Sequence, residues 1–403
     1  MRRVAITGLG VICALGKNAG ECWQCLVQGQ PAIQPIQTVD TSRLRFHSGA
    51  QVRDYDPAQH FDGAHQELLD RFAQFAVIAA REALDNSGTR ITPALSPRTG
   101  VVVGASVGGQ SSEDASFEDL YLRNRNRVHP LTIPRAMMNA GASHISMDLG
   151  ITGPAITTST ACSSATHAIG QAFWMMRTGQ VELAIAGGSE APFSFGLLKA
   201  WEAMRVVSSD TCRPFSKDRS GLILGEGGAM LVLEPLDRAI ARGATVYGEI
   251  VGFGMSSDAR HITQPSIEGP AQAMRSALKD ADVGLERISY INAHGTGTQA
   301  NDSTETTAIR SVFGSRADRL AVSSTKSMHG HALGATGAIE AVATALALHH
   351  QILPPTANYT QPDPQCDLDV VPNSARAANI EYAISNSFAF GGLNAVLLFR
   401  RFA

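Results

Sequence analysis

Four short stretches carry residues whose types and spacing could do chemistry. The first is TSTACSSATHAIG, residues 158–170, where Cys162 sits between small residues at the start of a segment with helical spacing. A helix N-terminus supplies partial positive charge and free N–H groups, which favour a thiolate. Small neighbours leave room for an acyl chain to approach the sulfur. The second is INAHGTGTQANDSTE, residues 291–305, where His294 follows an apolar strand and faces a loop of Gly and Thr. A histidine at the carboxyl end of a strand is well placed for catalysis. The third, SSTKSMHGHALGATGAIE at 323–340, offers Lys326, His329 and His331. A lysine beside an acyl-transfer centre can polarise a neighbour or hold it through an ion pair. The fourth is NSFAFGGLN, residues 386–394, whose paired glycines predict a tight turn with backbone N–H groups directed into a site. Such amides stabilise a developing oxyanion.

Each stretch also has an ordinary interpretation. A free cysteine is most often buried and inert, and a loop histidine can simply tie its loop down. Lys326 can be a surface charge, and NSFAFGGLN any hairpin. His329 and His331, two apart, suggest a metal, but no carboxylate cluster or further Cys/His pair accompanies them. Taken together, one cysteine and two loop histidines point to acyl transfer through a covalent thioester. A pair of imidazoles, without a carboxylate partner, suits the stabilisation of an enolate better than the activation of water.

The elements that must position these residues follow from apolar patterning. Buried strands are expected at Arg3–Leu9, Thr99–Gly104, Val181–Ala186, Ala229–Glu234, Tyr247–Phe253, Ile288–Ala293, Ala321–Ser324, Tyr382–Asn386 and Ala395–Phe399. Helices are expected at Leu68–Asn86, Ser163–Thr178, Gly269–Asp282, Asp302–Phe313 and Ala335–His349. This alternation predicts α/β layers. The two series are alike in order, although no sequence repeat is visible. A boundary near 236–245 divides the chain into 1–240, with the nucleophile, and 241–403, with both histidines.

The chain has 403 residues, 44% hydrophobic and 17% charged, enough for a large core and for two or three domains or one architecture of two halves. A net charge of −3 is unlike the basic face of a nucleic-acid binder. Six cysteines in so long a chain make no disulfide scaffold. Cys22 and Cys25 lack a second pair for zinc and are expected on two faces of a short helix, with Trp23 and Leu26 packed. The opening MRRVAITGLGVICALG resembles a signal peptide, but Gly8 and Gly10 interrupt it and a buried strand is expected instead. The run 338–348 contains Glu340 and is shorter than the roughly 18 residues of a membrane span. These features predict a soluble, reduced, cytoplasmic protein without a membrane span or a nucleic-acid partner.

TACSS, NAHGTGT, STKSMHGHALGATGAIE and NSFAFGG closely resemble the four active-site segments of elongating β-ketoacyl-acyl-carrier-protein synthases, especially the type II group. The likeness runs from VAITGLG at the start to NAVLLF at the end. LKAWEAMR, DTCRPFS and NDSTETTAI further resemble the nodulation protein E branch and related ketosynthases of specialised acyl chains. The resemblance implies an α/β thiolase fold: two pseudo-duplicated halves in a five-layered α/β/α/β/α arrangement, acting as a dimer. It implies that Cys162 takes an acyl group from acyl carrier protein. His294 and His331 would then promote decarboxylation of malonyl-carrier protein and stabilise the enolate. By the same resemblance the amides of Cys162 and Phe390 form the oxyanion hole, with Phe390 also a gate over the acyl pocket. Lys326, paired with Glu340, orients His331. Thr296 and Thr298 support the site, Val107 and Thr132 belong to the acyl pocket, and no metal or organic cofactor is needed. His329 has no role in the family's pattern.

The chain departs from that pattern in places. Ala389 stands where glycine is usual and Leu393 where threonine is usual, so the gate loop is expected to be stiffer. In HPLTIP, Thr132 replaces a bulky phenylalanine that reaches the partner's acyl tunnel, which implies a deeper or differently shaped pocket. The family's docking lysines give way to His65 and Glu67, leaving Arg123, Arg125, Arg127 and Arg205 as a replacement patch for an acidic carrier protein. Three rivals remain. A non-catalytic chain-length-factor subunit would lack the cysteine, though this chain can still pair with one as a heterodimer. A degradative thiolase needs a second late cysteine, and the late one here is Cys366, expected in a surface loop. A cysteine hydrolase would turn over without malonyl-carrier protein.

Overall fold

The computed structural model describes residues 1–402. Ten strands build the main sheet: β1 (Val4–Cys13), β2 (Thr99–Gly104), β3 (Ala155–Thr158), β4 (Leu183–Glu190), β5 (Gly227–Pro235), β6 (Gly248–Ser257), β7 (Ile288–Asn292), β8 (Ala321–Ser323), β9 (Tyr382–Ala389) and β10 (Leu393–Arg400). Nine helices matter for the site and its support: α1 (Ala19–Gln28), α2 (Arg71–Ser87), α3 (Gln110–Tyr121), α4 (Ala140–Leu149), α5 (Ser164–Arg177), α6 (Phe195–Met204), α7 (Glu268–Ala281), α8 (Gln299–Phe313) and α9 (Thr336–His350).

The first half of the sheet has the order β1-β5-β4-β2-β3 and the second half β6-β10-β9-β7-β8. Each strand of one half thus has its counterpart five strands later. Directions match as well. β4, β2 and β3 run parallel while β5 is antiparallel to β1 and β4. β9, β7 and β8 run parallel while β10 is antiparallel to β6 and β9. The halves meet along β1 and β6, from Val4 opposite Ile250 to Ile6 opposite Gly248.

Helices α2 and α4 cover one outer face, α7 and α8 the other, and α5 and α9 lie between, each touching strands of both halves. That gives the five layers. The strands read as near-continuous apolar runs because both of their faces are covered, as TGVVVG of β2 shows with every residue buried. The helix stop in Ser87–Gly88 is real: Gly88 takes φ +65° and its N–H closes on Asp85.

A repeat hidden from the sequence reading appears in the layers. In β1, a Cβ on Gly8 or Gly10 would lie 2.1 or 2.0 Å from the carbonyl oxygens of Ala83 and Ala79 in α2. In β6, a Cβ on Gly252 or Gly254 would lie 2.4 or 2.1 Å from those of Ala277 and Ala273 in α7. Between each glycine pair the backbone N–H donates to a helix side chain, Leu9 to Asn86 at 2.9 Å and Phe253 to Asp280 at 3.0 Å. Gly-x-Gly against Ala-x-x-x-Ala is the same helix-on-strand contact, made twice.

Cys22, Trp23 and Leu26 are buried on α1, with Cys25 half-buried on the same helix. The neighbour of Cys22 is Cys13, at an Sγ–Sγ distance of 3.5 Å. Cys366 corrects an expectation: it lies in a loop, but it is only 2% exposed and joins the apolar cluster of the second half. The chain around it is polar, and the thiol turns inward to complete that cluster. Between the halves, 236–245 holds a short helix, Leu236–Ala241. Among the described residues no helix is long and apolar enough to cross a membrane.

Candidate active site

Cys162, His294, His331, Phe388, Ala389 and Phe390 line one cavity, joined by Thr296 and Thr298. Cys162 stands just ahead of α5, and the preceding Ala161 adopts φ +51°, a left-handed turn that throws the cysteine into the site. The backbone N–H groups of Cys162 and Phe390 face the sulfur and favour its ionised form. They are the pair expected to serve an oxyanion. The expected thiolate is a different matter. Burial pushes the Cys162 thiol up to about 11, against the opposing pull of the Lys326 charge and of the two amides. At 7% exposure the sulfur loses more hydration than its helix terminus returns, so the thiol is the resting form.

His294 follows β7 and is 3% exposed, and His331 precedes α9 and is 1% exposed. Their rings meet edge to face at 5.6 Å. Burial, first, and the Lys326 charge, second, hold both well below the usual histidine range, so both are neutral. Their tautomers follow from their neighbours. Lys326 Nζ lies 3.4 Å from His294 Nδ1, and an ammonium can only donate. Leu333 N–H donates to His331 Nδ1 at 3.1 Å. Each ring therefore carries its proton on Nε2 and offers the cavity an N–H donor.

Lys326 corrects a second expectation. It makes no hydrogen bond to His331. Its ammonium donates to His294 O at 2.5 Å, faces His294 Nδ1 and is paired with Glu340. The one-turn helix Lys326–His329 and helix α9 bring lysine and glutamate together on the His294 side of the site. His331 is held by Thr336 Oγ1 at 2.9 Å instead. Both Lys326 and Glu340 are fully buried, and burial pushes the Glu340 carboxyl up to about 7. His329 is buried too, with one ring nitrogen 2.8 Å from Gly330 O and the other 3.0 Å from Thr325 Oγ1, and lies outside the cavity lining.

The loop after His294 is braced from beneath. Glu305 of α8 accepts from His294 N and Gly295 N, both at 2.8 Å. Asp302 accepts from Gly297 N at 3.2 Å, and Thr296 and Thr298 share a hydroxyl contact of 2.9 Å. Phe390 is stacked on Trp201 at 6.1 Å beside the cavity. Ala389 has no positive φ, so the residue that replaces glycine is unstrained.

Sequence reading missed the segment 258–265, which supplies Asp258, His261, Ile262 and Thr263 to the cavity. Asp258 accepts from Asn394 Nδ2 at 2.7 Å, and Gly391 N donates to Ile262 O at 2.7 Å, so this segment clasps the glycine turn. Its signal was an Asp, a His and a Thr crowded into a loop after a strand; without apolar periodicity nothing linked it to the other motifs.

The remaining expected residues lie farther out. Val107 packs with Phe390 against an apolar cluster that includes Trp201 and Leu333. Thr132 is bonded to His129 O and Ser116 Oγ and lines a separate cavity of about 390 Å³ with Asp70 and Arg135. Arg123 and Arg125 are engaged with Asp119 at 2.9 and 3.2 Å. Arg127 and Arg205 form no ion pair among the described residues, and Arg205 precedes Val206, which lines the Cys162 cavity.

The chain is similar to known proteins along its whole length. The β-ketoacyl synthase N-terminal domain family matches residues 1–239 and the β-ketoacyl synthase C-terminal domain family residues 247–360. Nodulation protein E of Rhizobium sp. (strain N33) is 47% identical over 400 residues, covering 99% of each chain. The 3-oxoacyl-acyl-carrier-protein synthase 2 of Staphylococcus aureus (strain COL) is 40% identical over 408 residues, covering 100% of this chain and 99% of that one. Among solved structures, the ishigamide ketosynthase/chain length factor superposes with a TM-score of 0.95 at 36% identity, covering 100% of both chains. Covered along most of its length by both domains, the chain belongs to the β-ketoacyl synthase family and shares its thiolase fold.

Proposed function

We propose that this enzyme condenses a Cys162-bound acyl group with malonyl-acyl carrier protein to give 3-oxoacyl-acyl carrier protein. The observation that carries the reading is one cavity holding a thiol under two backbone amides and facing two neutral imidazoles with Nε2–H. In the first step Cys162 sulfur attacks the acyl thioester and the carrier thiol leaves with the proton. The amides of Cys162 and Phe390 hold the oxyanion as it forms. In the second step malonyl-carrier protein loses CO2, and the enolate oxygen accepts from the Nε2–H groups of His294 and His331. The enolate carbon then attacks the acyl carbonyl, the carbon–sulfur bond to Cys162 breaks, and the thiolate takes up a proton. Lys326 and Glu340 hold His294 in place. Thr296 and Thr298 offer hydroxyls at the cavity wall for the incoming thioester arm.

A thiolase would need a second thiol in the cavity, and Cys366 is packed in the core of the second half. The carrier docks beside Arg205, next to the cavity, while Arg127 is the other arginine of the patch without an ion pair among the described residues. The protein works in the cytoplasm as a dimer, with itself or with a chain-length-factor-like subunit. Supporting this, Phe117, Tyr121, Leu122, Ile133, Met147 and Ile156 are exposed, and β3 pairs on one edge only. In such a dimer Thr132 of one protomer borders the acyl tunnel of the other, as part of the acyl pocket with Val107.

Mass spectrometry of the enzyme with a panel of acyl-carrier proteins, then malonyl-carrier protein, tests the reading. Acyl adducts on Cys162 that convert to 3-oxoacyl-carrier protein are expected. Release of free acid in place of the longer thioester would overturn it.

A further inference from the structure

Strand β4 ends in Glu190, a fully buried carboxylate whose donors are all neutral. Oε2 accepts from Ser106 N at 2.7 Å, Ser106 Oγ at 2.6 Å and Gly334 N at 3.1 Å. Oε1 accepts from Val107 N at 3.2 Å and Gly108 N at 3.1 Å. Four of these donors belong to one loop of the first half. Gly334 belongs to the second half, three residues beyond His331.

That cross-half bond, seconded by Ser106 Oγ accepting from the same N–H at 3.2 Å, reaches the chemistry. Leu333, between His331 and Gly334, takes φ +45°, a conformation that a non-glycine residue keeps only where its surroundings hold it. Its side chain is held among Leu198, Trp201 and Leu224, and its far peptide N–H, on Gly334, is held by Glu190. A Cβ on Gly334 would lie 2.6 Å from Glu190 Oε2 and 2.6 Å from Ser106 N, so the two loops approach as closely as glycine permits. In this conformation Leu333 N–H meets His331 Nδ1 and fixes the proton on Nε2. On the other side, Glu190 fixes the loop that carries Val107, which packs on the same apolar cluster as Phe390.

We propose that Glu190 is a positioning residue, a buried carboxylate that locks the His331 loop to the Val107 loop, so that condensation depends on it far more than acylation of Cys162 does. The inference rests on the condensation reading above. A carboxylate accepts at both oxygens, whereas an amide turns its NH2 either against Val107 N and Gly108 N or against Ser106 N and Gly334 N and loses that set of bonds.

Glu190→Gln separates the two steps. Acylation of Cys162, followed by intact-protein mass spectrometry, is expected within about 3-fold of wild type, because the Glu190 charge opposes ionisation of the thiol. Condensation is expected to fall about 30-fold in kcat, the scale of a displaced catalytic group, with KM for malonyl-carrier protein changed less than about 2-fold. Ser106→Ala, which removes a hydroxyl shared by Glu190 and Gly334 N, is expected to slow the same step by about 3-fold with little effect on folding. Should Glu190→Gln not fold, Ser106→Ala decides alone. Equal losses in both steps, or unchanged condensation, overturn the inference. A wild-type enzyme that acylates but does not condense would instead overturn the function on which it rests.

Discussion

At the residue scale, burial decides the starting state of the nucleophile. With its thiol pushed up to about 11, Cys162 holds only about one part in a thousand as thiolate at pH 8. Alkylation by iodoacetamide should therefore rise about tenfold per pH unit from 7 to 10. A plateau by pH 8 would show that the helix terminus wins over burial. In the proposed reaction the two imidazoles act later. His294→Ala and His331→Ala are each expected to leave Cys162 acylation intact and to slow condensation by about 100-fold or more, measured as product formed by pre-acylated enzyme. Lys326 and Glu340 pose a different test, because removing one leaves the other buried and uncompensated. Lys326→Ala should lose activity and about 3 kcal/mol of stability. The double change Lys326→Met with Glu340→Leu should recover the denaturation midpoint and leave condensation impaired, since His294 keeps no ammonium at Nδ1.

At the scale of elements, the glycines of β1 and β6 let α2 and α7 approach carbonyl to strand. Gly10→Ala and Gly254→Ala are each expected to destabilise the fold by about 3 kcal/mol, because the new methyl must displace a helix carbonyl. Chemical denaturation of the two variants checks this, and a midpoint within error of wild type would contradict it. The same pair of contacts explains why the repeat escaped the sequence. Gly-x-Gly and Ala-x-x-x-Ala each recur, yet they are 75 residues apart in one half and 25 in the other, with nothing alike between them. Strand β3 escaped as well: four residues at a sheet edge, Ala155–Thr158, are too short and too polar to show alternation.

At the scale of the whole molecule, the active site exists only where the halves meet. Cys162 comes from the first half, and His294, His331 and the amide of Phe390 come from the second. Val206 lines the cavity and Arg205 precedes it, so Arg205→Glu is expected to raise KM for an acidic carrier protein about 10-fold at low salt, with the difference shrinking as salt is added. Insensitivity to both the reversal and the salt would remove Arg205 from the docking surface.

Much of this was legible in the chain alone. The long strands and helices were, because two covered faces force continuous apolar runs and a helix leaves its 3.6-residue period. The four motifs were, because together and in that order they resemble the active-site segments of β-ketoacyl synthases, whereas each alone had an ordinary interpretation. Three features were decided only by the fold. Lys326 serves His294 because the one-turn helix turns its ammonium that way, a direction no spacing records. Cys162 rests as a thiol because burial, which depends on every neighbouring layer, outweighs its local helix terminus. Glu190 and Asp258 entered the site through contacts 144 and 136 residues away in sequence, and hydrogen bonds of that reach are set by tertiary packing, not by local pattern.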